Sequence, residues 1–208
     1  MMEAWQEFWR LFEKGGFVMP FLLIGSLLTV AVAVERFRAF RRATDGTAAM
    51  RERLEMSLRT GDWVAALEAT RQYDNFSAQI AAAGLSEAER GSRAAELAME
   101  GVANRGTARL RQRLDLMNLM VTLAPLLGLL GTVIGMIRAF SVLNLRSGQP
   151  FAITGGVGEA LVATAAGLCV AVLSLIFLAY FRNRLDSILN DAEETAALIL
   201  QALPERTP

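Results

Sequence analysis

The stretch LAPLLGLLGTVIGMIRAF, residues 123–140, decides the fold class. Most of it falls in an uncharged run from Leu116 to Ile137, between Asp115 and Arg138. Two further runs match it: residues 15–34, between Lys14 and Glu35, and residues 160–181, between Glu159 and Arg182. A helix rises about 1.5 Å per residue, so roughly 20 apolar residues cross about 30 Å of hydrocarbon. Three such runs in 208 residues, with a mean hydropathy of +0.35, are not explained as buried helices of a water-soluble core. The expectation is an all-α membrane protein with three transmembrane helices, at 15–34, 116–140 and 158–181.

Charge placement sets the expected topology. Arg36, Arg38, Arg41 and Arg42 follow the first run, Arg105, Arg109, Arg111 and Arg113 precede the second, and Arg182 and Arg184 follow the third. The other side carries Arg10, Lys14, Arg138 and Arg146. Basic residues near span ends favour the cytoplasm. Residues 35–115 therefore read as a cytoplasmic helical domain and 182–208 as a cytoplasmic helical tail, with the N-terminus outside, the C-terminus inside and a short periplasmic loop at 141–157. Ala31-Val32-Ala33 fits a signal-cleavage pattern, but the apolar run is longer than a usual signal core and no positive segment precedes it. Trp5, Phe8, Trp9 and Phe12 fall on one helical face, which predicts an interfacial amphipathic helix over 1–14 in contact with membrane lipids; the bland alternative is a frayed end whose aromatics anchor the first span.

In the cytoplasmic segment, Thr60-Gly61-Asp62 predicts a helix break with Asp62 capping the next helix. Ser86 with Glu89 reads as a capping box. With no proline between Ser86 and Pro125, one helix is expected from Ser86 to about Phe140, with a possible kink at Pro125. The third span is expected to run on toward Leu200.

Two helix faces consist of small residues. The second span aligns Ala124, Gly128, Gly131/Thr132, Gly135 and Ala139; the third aligns Ala160, Thr164, Gly167, Ala171 and Ser174. Small faces let helix backbones approach closely in lipid. The plain reading is packing; the sharper one adds Thr132 and Thr164 as polar groups lining a narrow wet cavity. Glu159, after Gly155-Gly156-Val157-Gly158, is expected in the first turn of the third span. There it is either an interfacial charge favoured by the helix dipole or a functional carboxylate. No Asp, Glu, His, Lys or Arg lies inside the three runs, so any proton carrier at mid-membrane has to come from a partner.

Residues 123–140 resemble the second span of ExbB/TolQ proteins, and GGVGEALVATAAGLCVAV, residues 155–172, resembles their third. Glu35-Arg36-Phe37 after the first span is also similar. The resemblance covers the spans and their order, not residues 43–110. It implies a homopentamer whose second and third helices line a central pore. Inside that pore it implies a dimer of single-span ExbD- or TolR-type partners carrying a membrane-embedded aspartate, with a TonB- or TolA-type energy transducer downstream. It further implies a multi-pass protein of the bacterial inner membrane. By motif, Thr132, Thr164 and Glu159 match the polar positions of the proton path, while Gly128, Gly131, Gly135, Ala160, Gly167 and Ala171 would pack the helices of the pore ring. ExbB is the nearer likeness; a TolQ-like envelope-maintenance subunit and a non-conducting scaffold are the alternatives.

Other classes find little support. Zero net charge offers no argument for a nucleic-acid partner, and the arginines sit at span ends rather than along one face. The absence of histidine and the single cysteine, Cys169, within a span argue against a metal site, a cofactor or an enzyme, and GGVGEAL lacks the Lys-Ser/Thr of a phosphate-binding loop.

Overall fold

The computed structural model describes residues 2, 6, 9, 12, 14–145 and 150–203, with side chains of 142–153 left aside. Among the described residues every regular element is helical: α1 (Met19–Thr44), α2 (Thr47–Arg59), α3 (Trp63–Arg71), α4 (Phe76–Ser86), α5 (Ser92–Arg111), α6 (Leu114–Leu145) and α7 (Pro150–Ala202), with 3₁₀ turns at Gly16–Val18 and Ala88–Arg90. Among the described residues, three helical stretches are long and apolar enough to cross a membrane: Gly16–Arg59, Ser92–Ser141 and Thr154–Ala202. Trp5, Phe8, Arg10 and Arg146 lie outside the described residues. Trp9 and Phe12 stack with ring centroids 5.6 Å apart.

The chain divides into two compact units, one of residues 1–33 and 114–179, the other of 34–113 and 180–208. The first holds the apolar runs. Pro20 falls in the first turn of α1, where a missing N–H costs no helical bond. Pro125 lies inside α6, which runs through it as one helix. Val18, Met19 and Leu22 bury against Ala124 and Ala171, with Phe12, Leu127, Ile134, Ala166 and Val170 packed around them. Leu27, Leu28, Leu129, Ile137, Leu161 and Ile176 are all exposed. So wide an apolar surface is excluded in water and ordinary against lipid tails or partner spans.

The second unit is a helical cluster built on Met50, Leu54, Ala66, Ile80, Ala81, Ala95 and Met99, all buried. Gly61 has φ +72°, and Asp62 caps α3 by accepting from the Ala65 amide at 2.9 Å, so the expected break is present. Asn75 caps α4 through the Ala78 amide and donates to the Asp45 carbonyl, both at 2.8 Å. Phe40 meets Phe181 edge-on at 5.5 Å.

Two expectations are corrected. Ser86 is the last residue of α4, not a cap, and its hydroxyl donates back to Ala83 at 2.8 Å. The single helix expected from Ser86 to Phe140 is interrupted after Ser86 and again at Gln112–Arg113. The first interruption follows the end of α4, with α5 opening only after Gly91. The second contains no glycine or proline, and Arg113 there has φ +106°.

Candidate functional site

Helices α6 and α7 carry every residue singled out as a site candidate, and the structure packs them together within one chain. A Cβ on Gly128 would meet the Ala163 carbonyl and Thr164 Cα at 3.1 Å. One on Gly135 would meet the Gly156 carbonyl at 3.0 Å and Ala160 Cβ at 3.1 Å. One on Gly167 would meet the Ala124 carbonyl at 2.5 Å, and one on Gly131 would meet Ala163 Cβ at 2.5 Å. Position numbers rise on α6 as they fall on α7, so the helices run antiparallel. The small faces thus bring α6 and α7 of the same chain into backbone contact. Within the chain these faces serve close packing of the two helices, as the plain reading expects.

The two threonines differ in how their hydroxyls are used. Thr164 Oγ1 donates across to the Gly128 carbonyl at 3.2 Å. Thr132 Oγ1 donates to Leu129 of its own helix at 2.6 Å. Thr132 is half-exposed in an open hollow of about 580 Å³ that it shares with Val133, Met136, Ile137, Phe140 and Ser141. The structure does not join the two threonines directly.

Glu159 is not in a first helical turn. Helix α7 begins at Pro150, and residues 155–157, expected in a loop, are helical. The dipole argument therefore fails, and a side chain balances the charge instead. Arg138 Nη1 donates to Glu159 Oε1 at 2.8 Å. The carboxylate also lies against Gly16, where an added Cβ would collide with it and where φ is +69°. Glycine is needed at position 16 on both counts.

Sequence reasoning counted Arg138 as a topology charge and missed its pairing. The signal was present, since two opposite charges bracket the same ends of consecutive spans. It also missed Thr29 and Ser174, whose hydroxyls meet at 3.1 Å while both residues are fully buried. Ser174 had been placed on a small face, but nothing local marked Thr29.

Three apolar helices with buried hydroxyl contacts and a charge pair at the end of two of them define a helical membrane protein. The profile of the MotA/TolQ/ExbB proton channel family matches residues 72–194, and the chain belongs to that family. A protein named ExbB-like 1 from Synechocystis sp. is 36% identical over 79% of this chain and 66% of its own length. The biopolymer transport protein ExbB of Neisseria meningitidis is 35% identical over 83% of both chains. An ExbB homolog of Methanothermobacter thermautotrophicus is 27% identical over 88% of this chain. The chain spans just under two thirds of the Synechocystis and Methanothermobacter proteins, at 66% of each.

Proposed function

We propose that this chain is the pore-forming stator subunit of a proton-motive-force-driven motor in the bacterial inner membrane, of the ExbB–ExbD type, energising TonB-dependent transport across the outer membrane. The observation that carries the reading is the division of polar groups. Family spans two and three bear Thr132, Thr164 and the Arg138–Glu159 pair, yet no carboxylate stands inside any of the apolar runs. A proton crossing at mid-membrane needs a titrating group, and a single-span partner with an aspartate in its span supplies one. The hydroxyls of Thr132 and Thr164 give their protons to helix carbonyls and keep lone pairs that accept from water, so they can orient water beside that aspartate without carrying charge. Relatives named ExbB favour this over the TolQ-like reading. On the same reading the chain is a homopentamer around a partner dimer, has its C-terminus in the cytoplasm, and is not an enzyme.

The test is co-expression with a single-span partner, scoring growth on a substrate whose uptake needs an energised outer membrane. Growth is expected with the wild-type partner and is lost when its span aspartate becomes asparagine. Growth that persists with the asparagine partner would overturn the motor reading and leave a scaffold.

A further inference from the structure

The stretch Arg109-Leu110-Arg111-Gln112-Arg113-Leu114 contains only residues that enter helices readily, yet α5 ends at Arg111 and α6 begins at Leu114. Gln112 has φ −47° and ψ 106°, and Arg113 has φ +106°, the one non-glycine at positive φ among the described residues. Side chains other than glycine avoid that region, so something outside the segment holds it there.

That something is Arg36. Its side chain is almost wholly buried, which is unusual for arginine. Its Nε and Nη2 each bond a Glu35 carboxylate oxygen at 2.6 Å. Its Nη1 donates to the carbonyls of Arg109 and Leu110, both at 3.1 Å. In an uninterrupted helix those two carbonyls would accept from the amides four residues on, Arg113 and Leu114. The guanidinium occupies the acceptors that helix continuation requires. It also places a cation at a helix C-terminus, where the dipole favours one. Glu35 braces the arrangement, with Arg113 Nη1 3.4 Å from its Oε1.

We propose that Arg36 is a helix stop supplied from α1: it displaces the Arg113 and Leu114 amides from the Arg109 and Leu110 carbonyls and so keeps α5 and α6 separate in a segment whose own residues encode one helix. Arg36 is a positioning residue, and the break is a held conformation that release of Arg36 converts to continuous helix.

The test is amide hydrogen exchange of the full-length protein in lipid nanodiscs, read across residues 111–118. The first amides of α6 lack partners within their helix and gain them if α5 runs on. Arg36→Ala is expected to slow exchange of residues 113–117 by about tenfold or more, with α3 unchanged. Adding Arg113→Gly to Arg36→Ala is expected to restore the wild-type rate, because glycine accepts positive φ and weakens a continuous helix. Glu35→Gln, which keeps the shape and loosens the brace, gives a smaller slowing in the same amides. An unchanged rate in Arg36→Ala, or faster exchange there together with α3, overturns the proposal. Should Arg36→Ala fail to fold, Glu35→Gln decides, and an unchanged rate at 113–117 overturns it.

Discussion

Arg138 on α6 and Glu159 on α7 form an ion pair at 2.8 Å where the two helices leave their apolar runs. The Arg138 side chain is 56% exposed and that of Glu159 22%, so their coupling contributes little to stability, at most about 1 kcal/mol. A double-mutant cycle with Arg138→Ala and Glu159→Gln, read by thermal unfolding in detergent, is expected to return a coupling of that size. Glu159→Gln is expected to lower energy-dependent growth without loss of expression, because the carboxylate matters for charge and hardly for packing.

Thr164→Val and Thr132→Val separate packing from function. The Thr164 hydroxyl bonds another helix and the Thr132 hydroxyl bonds its own. Interhelical hydrogen bonds in membranes contribute about 0.6 kcal/mol on average and seldom exceed about 1.7. Thr164→Val is therefore expected to lower thermal stability measurably and Thr132→Val hardly at all. On the proposed reading both reduce energy-dependent growth without loss of expression. Full activity in both would remove the threonines from the proton path.

The glycines of α6 and α7 are ranked by what a methyl group would meet. At Gly167 it lies 2.5 Å from a backbone carbonyl, at Gly128 3.1 Å, and at Gly158 nothing stands within 4 Å. Gly167→Ala is expected to destabilise by about 1–3 kcal/mol, the usual cost of overpacking, and Gly128→Ala by less. Gly158→Ala is expected to be neutral or stabilising by up to about 1 kcal/mol, since alanine is the better helix former. Thermal unfolding of the three purified variants checks the order.

Asn75→Ala is expected to be the costliest polar truncation in the residue 34–113 and 180–208 unit. The residue is fully buried, caps α4 and satisfies the Asp45 carbonyl. Loss of the cap costs about 0.5–2 kcal/mol, and the orphaned carbonyl about 1–3 kcal/mol more. Proteolytic susceptibility of residues 45–78 in membrane vesicles would report it.

The arginine distribution predicts a cytoplasmic C-terminus. Reporter fusions after residue 203 are expected to be active with a cytoplasmic reporter and silent with a periplasmic one. The reverse pattern would invert the orientation assigned above.

By itself the sequence determined that the chain is helical, where its three apolar helices lie and which family it belongs to. Those properties rest on local composition and on motifs that need no knowledge of contacts. The break at Gly61-Asp62 was legible for the same reason, since a positive-φ glycine and a capping aspartate act on adjacent residues. Only the tertiary structure decided how the small faces are used, because a glycine stripe shows that a backbone comes close and not whose backbone it is. It also moved Glu159 from a helix end into a helix interior. Extension of α7 back to Pro150 ended its dipole role, and Arg138, distant in sequence, became its partner. The division between α5 and α6 was invisible for a parallel reason: every residue there favours helix, and the group that stops it is a buried arginine more than seventy positions earlier, brought into reach by folding alone.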